Sequence, residues 1–180
     1  MKRIPPLAAI PALALILTSG AAQATEVGLS RNFGLGFQIG DPTAIVAKAF
    51  LDGNDAMDFG LGIYGYGRGY CYDENDDRHW CNGGHGSMSV HADYLYQENI
   101  IHGNLKLDWH AGGGGRVIFW NYGDGGHSDL ALLGRVPLGF DFTFRRPSFL
   151  EAYIEIAPAI VIIPPLDFTI DFAIGVRAYF

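Results

Sequence analysis

From residue 33 onward, apolar and polar residues alternate with a period of two, segment after segment. At the end of the chain Phe168, Ile170, Phe172, Ile174, Val176, Ala178 and Phe180 hold the even positions. Thr169, Asp171, Gly175, Arg177 and Tyr179 stand between them. A period of two is the strand period, and so clean a split means that the two faces of one sheet meet two different environments. Gly, Pro, Asn and Asp divide the chain into eight such segments, which predict strands over 33–40, 43–51, 56–66, 87–96, 105–120, 129–144, 149–163 and 167–180.

One face of every segment is bulky and apolar: Phe33, Leu35, Phe37 and Ile39 in the first, Leu130, Leu132, Val136, Leu138, Phe140, Phe142 and Phe144 in the sixth. Pro158 falls on the apolar face of the seventh and predicts a bulge there. The other face carries Gln38, Lys48, Asp58, His91, Asp93, Lys106, Asp108, His110, Arg116, Arg135, Asp141, Glu151, Glu155, Asp171 and Arg177, with glycine and alanine filling most of the rest.

Periodicity does not say which face points outward. A soluble barrel of the lipocalin kind would turn the apolar face inward around a ligand. Here the apolar residues are the large ones and the polar face is rich in glycine. The cramped interior of an eight-stranded barrel suits small and charged residues, and the wider outer wall suits bulky ones. The expected fold is therefore all-β, an eight-stranded antiparallel up-and-down transmembrane β-barrel with its apolar face in lipid. With both ends on one side, the connections 52–55, 97–104 and 145–148 are short, and 67–86 and 120–128 on the other side are long, although 41–42 and 164–166 are tight turns on that side too. Aromatics gather near strand ends, with Phe33, Tyr94, Tyr96, Phe144 and Phe180 on the periplasmic side and Phe119 and Phe168 on the outer one.

The final strand and its terminal Phe180 resemble the C-terminal signal read by the outer-membrane barrel assembly machinery, although Ala178 stands where many such strands have an aromatic. The chain as a whole is similar to small outer-membrane barrels of the OmpA transmembrane-domain and OmpX type. The phrase FGLGFQIGDPTAIVAKAFLDGNDAMDFGLGI resembles the opening hairpins of a poorly characterised bacterial subfamily of them. The resemblance implies outer-membrane lipid and the assembly machinery as partners, with Phe180 as the assembly signal.

The start of the chain agrees with export. Lys2 and Arg3, an apolar run from Leu7 to Leu17 and the small-residue ending Ala22-Gln23-Ala24 predict a signal peptide over 1–24 and a barrel over 25–180. Without Lys2 and Arg3, the 12 basic residues fall to 10 against 19 acidic ones, a formal charge of −9 that argues against nucleic acid as a partner. The two cysteines, Cys71 and Cys81, are read as a disulfide in an exported chain. Such a staple contributes about 2–3 kcal/mol for a loop of this size.

Candidate chemistry is sparse. The inward set holds five fixed cations (Lys48, Lys106, Arg116, Arg135, Arg177) against seven carboxylates (Asp58, Asp93, Asp108, Asp141, Glu151, Glu155, Asp171), and an interleaved ion-pair network that fills the lumen is the economical arrangement. His91 and His110 with Asp93 and Asp108 also suit a metal or acid–base site. No ligand spacing singles one out, so they are read as part of the polar filling, with no metal or cofactor expected.

In the stapled loop Asp73, Glu74, Asp76 and Asp77 offer calcium donors, and His79 with His85 offers zinc or copper donors. The calcium-loop spacing is missing, and the segment reads as a solvated acidic loop whose Tyr70, Tyr72 and Trp80 suit a partner surface. His85-Gly86-Ser87 has the His-x-Ser spacing of an outer-membrane lipid A deacylase family, but position 87 has lumen parity and would face away from lipid. The chain is thus expected to be a structural or surface-interaction barrel, with a narrow solute channel as the alternative and a lipid-modifying enzyme third. An extracellular ligand, if there is one, is not named by the residues.

Overall fold

The computed structural model describes residues 27–28, 30–64, 68–72, 78–82, 87–101, 105–121, 128–144, 146–163 and 166–180. The expected signal peptide lies outside them. The strands are β1 (Phe33–Gly40), β2 (Thr43–Asp52), β3 (Asp55–Tyr64), β4 (Arg68–Tyr72), β5 (Arg78–Asn82), β6 (Ser87–Ile101), β7 (Leu105–Asn121), β8 (Ser128–Arg135), β9 (Leu138–Phe144), β10 (Leu150–Ile163) and β11 (Asp167–Tyr179). No helix among the described residues is long and apolar enough to cross a membrane, which leaves strand crossing open.

The sheet closes on itself. Each strand pairs antiparallel with its neighbours in the order β1, β2, β3, β6, β7, β8 with β9, β10 and β11, and β11 returns to β1. β8 and β9 are one stave: β7 pairs Gly114 with Arg135 and Ala111 with Leu138, so the register runs unbroken across Val136 and Pro137. Eight staves therefore form an up-and-down barrel with no free edge, which is how a sheet satisfies every backbone group in lipid.

Two prolines explain the break in that stave. Pro137 and Pro158 lack an N–H, so the ladder between the sixth stave and β10 cannot be complete there. Gly112 N still donates to Pro137 O at 2.9 Å, and Val136 N donates to Pro158 O at 2.9 Å, which ties the gap on both sides. The bulge expected at Pro158 is corrected: β10 keeps its register with β11 through the Pro158–Ile170 pair. The irregularity falls instead between Val161 and Ile163, against β8. Two further corrections concern connections. β6 runs on to Ile101, which shortens the expected 97–104 turn, and the 67–86 segment carries its own two-stranded sheet, β4 with β5.

The faces sort as the alternation requires. Phe37 and Ile39 are 56 % and 66 % exposed, while Gln38 between them is 2 % exposed. The exposed set is the bulky apolar one on every stave, from Leu35 and Ile45 to Ile154, Phe172 and Ile174. An apolar wall of this extent has lipid as its natural solvent.

Inside, large rings lie over glycines directly across the ladder. Tyr179 pairs with Gly34, Tyr153 with Gly175, His91 with Gly60 and His110 with Gly139. A Cβ built on any of these glycines would stand 2.8 Å or less from the ring opposite. These four glycines leave room for the inward rings opposite them.

Candidate functional site

The lumen is the one place where chemistry-bearing side chains converge among the described residues. β2, β3, β6, β7, β8, β9, β10 and β11 each aim charges inward because their polar positions share the inward parity. Lys48, Asp58, His91, Asp93, Asp108, His110, Arg116, Arg135, Asp141, Glu151, Glu155, Asp171 and Arg177 are all buried, and Lys106 at the rim is one-third exposed.

Arg177 on β11 is the hub. Its Nη2 donates to Asp58 Oδ1 at 2.9 Å and its Nη1 to Glu151 Oε1 at 3.0 Å, with Asp141 Oδ1 at 3.7 Å. Its guanidinium stacks 3.7 Å from the Tyr153 ring centroid. Toward the chain ends, Tyr179 donates its hydroxyl to Glu151 at 3.1 Å, and Lys48 sits between Gln97 Oε1 and Asp141 Oδ2. Gln97 passes the chain on to Asp108 at 2.9 Å, and Lys106 pairs with Asp108 at 3.3 Å.

In the other direction His110 bridges two carboxylates, Nδ1 2.6 Å from Asp141 Oδ2 and Nε2 3.3 Å from Glu155 Oε2. Arg135 Nη2 holds Glu155 Oε1 and its Nη1 stands 3.9 Å from Asp171. Arg116 grips Asp171 with two nitrogens, at 2.8 and 3.0 Å. Charges in a low dielectric are tolerated only when paired in this way.

Several lumen residues escape a reading based on charge. Gln97, Asn99, Tyr153 and Tyr179 are neutral members of the network; Tyr153 donates to Gln38 Oε1 at 2.8 Å, and Gln38 donates to Pro42 O at 3.0 Å. At the outer end, Ile118, Ala131, Leu133, Ala159 and Val161 form a buried apolar cluster inside the barrel. Glycine and alanine are expected to fill most of the rest of the inward face; here Ala131 and Ala159 do so beside the larger Ile118, Leu133 and Val161. At the opposite end Val27 is buried, a Cβ built on Gly28 would stand 3.5 Å from the Phe50 ring, and the Phe50 and Tyr179 ring centroids lie 5.9 Å apart.

The remaining predicted residues are spread out. Phe180 is exposed at the end of the last stave, its N–H donating to Phe33 O at 2.8 Å. Tyr70 stands opposite Trp80 in the β4–β5 hairpin, Cys71 opposite His79, and Cys81 opposite Gly69, so the two cysteines are two positions out of step. Asp73, Glu74, Asp76, Asp77 and His85 lie outside the described residues. Ser87 is buried in the lumen and not on the lipid-facing wall.

The fold is similar to the N-terminal β-barrel domain of Pseudomonas aeruginosa OprF, at 12% identity and a TM-score of 0.54, over 83% of this chain and 96% of that one. It is similar also to Neisserial surface protein A (NspA), at 12% identity and a TM-score of 0.50, over 83% of this chain and 94% of that one. At such identity the likeness concerns the fold alone. No curated protein matches the sequence. A family model does match, over residues 24–180, and on that match the chain belongs to the family described as "Protein of unknown function (DUF3996)".

Proposed function

We propose that the protein is a non-catalytic, lipid-embedded barrel of the bacterial outer membrane, OmpA- and OmpX-like, with a filled lumen and a surface role carried by its outer connections. The observation that supports this reading is the run of side chains across the interior. It passes from Val27 and Phe50 at one end through the Arg177 and Arg135 ion pairs to Ile118, Leu133 and Val161 at the other. An eight-stranded barrel leaves space for little beyond such side chains.

In this account residues 1–24 direct export, Phe180 addresses the chain to the assembly machinery, and lipid covers the outer wall. The β4–β5 hairpin presents Tyr70, Tyr72, His79 and Trp80, with the acidic run between them, to an extracellular partner. A Cys71–Cys81 disulfide would staple it, and the two-position offset of the cysteines calls for a small slip of the hairpin to bring them within bonding range. NspA, which shares the fold, is by its name a surface protein.

Single-channel recording tests the filled lumen. The mature protein reconstituted in planar bilayers is expected to give no steady conductance. Reproducible steps that change with substitution of Arg135 or Arg177 would make it a narrow channel instead.

A further inference from the structure

Inward side chains of β3 and β6 meet at mid-barrel in an arrangement that ion pairing alone does not complete. The register sets Asp58 directly opposite Asp93, and Gly60 opposite His91. Two carboxylates facing each other on neighbouring strands repel unless positive charge sits between them. Arg177 takes one oxygen of Asp58, at 2.9 Å, and leaves Oδ2 turned to His91 Nε2 at 3.8 Å. Asp93 is 1 % exposed, yet neither of its carboxylate oxygens has a hydrogen-bond partner. Arg135 Nε is 3.4 Å from Asp93 Oδ2 without making that bond.

The three side chains are drawn together over bare backbone. A Cβ on Gly60 would stand 2.1 Å from the His91 ring, and one on Gly114, which pairs with Asp93, would stand 2.2 Å from Asp93 Oδ1. One donor atom from each of Asp58, His91 and Asp93 falls within 4.8 Å of the others. In a tetrahedral site two ligands each about 2.1 Å from the ion stand about 3.4 Å apart, so the widest pair of donors closes by up to about 1.4 Å when the ion enters.

Charge points the same way. The inward set carries seven carboxylates against five lysines and arginines, a deficit of two. An uncompensated deficit is costly at low dielectric; His110 between Asp141 and Glu155 offsets part of it when protonated, and a divalent cation at Asp58 and Asp93 offsets the remainder.

We infer that Asp58, His91 and Asp93 form an internal site for a first-row divalent metal ion of the zinc class. One imidazole nitrogen with two carboxylate oxygens is a donor set for such ions, and the second oxygen of Asp93 or a water supplies a fourth position. Arg177 holds the outer side of the Asp58 carboxylate by a hydrogen bond and fixes its orientation, and Arg135 lends its charge to Asp93 from 3.4 Å. The ion would tie β3 to β6 and relieve the Asp58–Asp93 repulsion.

The test refolds the mature barrel into detergent micelles with Zn2+ present, removes free metal by gel filtration, and counts bound zinc by mass spectrometry on protein shown to be folded by its heat-modifiable gel mobility. About one zinc per barrel is expected for the native sequence and for the loop variant His79→Ala/His85→Ala. Less than a tenth of that is expected for His91→Gln and for Asp93→Asn. Folded native barrel without zinc overturns the site, as does zinc that is lost with His79 and His85 or retained by folded His91→Gln. Should neither lumen variant fold, Co2+ in the loop variant decides. Chelator-resistant visible absorption bands of bound cobalt are the expected result, and their absence from the folded protein contradicts the site.

Discussion

Tyr153 reaches over Gly175, the residue paired with it across the β10–β11 ladder: a Cβ at Gly175 would stand 2.4 Å from the ring. The Arg177 guanidinium packs on the ring, 3.7 Å from its centroid, and the ring's hydroxyl is committed to Gln38. A methyl group at Gly175 must therefore move the ring and everything stacked on it. Gly175→Ala is expected to destabilise the barrel by about 1–3 kcal/mol, the usual cost of overpacking.

The run Gly112 to Gly115 offers the same test with an internal control. A Cβ at Gly112 or Gly114 would meet a carbonyl of β6 at 2.0 or 2.2 Å, whereas Gly113 has nothing within 4 Å and Gly115 only Leu133 O at 3.4 Å. Alanine at 112 or 114 is expected to cost about 1–3 kcal/mol. At 113 the change should stay within about 0.5 kcal/mol. Urea unfolding midpoints in lipid vesicles read this alternation, and equal effects at all four positions would contradict the assigned faces.

Arg177 neutralises carboxylates on two other staves, Asp58 and Glu151. Arg177→Met removes the cation and leaves those carboxylates buried without it, a change of the kind that costs about 3–5 kcal/mol. The double variant Arg177→Met/Asp58→Asn should recover part of that loss, because it removes one of the stranded charges. A double-mutant cycle on the same unfolding assay measures the coupling.

Most of the architecture was legible because lipid outside and charge inside impose opposite demands on alternate residues. Asp171 between Ile170 and Phe172 leaves no doubt about parity. The signal fails where both faces are apolar. Ile118 sits between Val117 and Phe119, Leu133 beside Leu132, and Val161 between Ile160 and Ile162; such unbroken apolar runs mark strand ends that are apolar on both faces, and their inward members make the inner cluster at the outer mouth. The charged set could be read residue by residue, but the pairings within it could not. Which carboxylate Arg177 reaches depends on barrel curvature, since β11 and β3 do not touch in the ladder. Asp58 meets His91 and Asp93 for a related reason, the register between β3 and β6, which periodicity does not fix.

Ile174 distinguishes a wall in lipid from a wall in water. It is 53 % exposed near the middle of β11, beside Ile39 and Ile154 on the neighbouring staves. In water, Ile174→Lys would be close to neutral. In a bilayer it is expected to cost about 2–4 kcal/mol, as for a cation near the midplane of a barrel wall. Comparing folding into short-chain lipid vesicles for Ile174→Lys and for a lysine at exposed Leu166 separates the two cases.

The β4–β5 hairpin forms its own sheet and shares no ladder with the barrel among the described residues. Replacing 68–82 with a short Gly-Ser linker is therefore expected to leave the unfolding midpoint within about 0.5 kcal/mol of native. A large loss of stability would mean that the outer segment is structural and not a presented surface.

The most direct test of a lipid-facing barrel is heat-modifiable gel mobility after dilution from urea into phospholipid vesicles. The account predicts a compact band in unboiled samples that shifts to the unfolded position on boiling, and that is lost in Ile174→Lys. A chain that instead folds without lipid or detergent, stays in the supernatant and shows no mobility shift would place the apolar face inside and contradict the account.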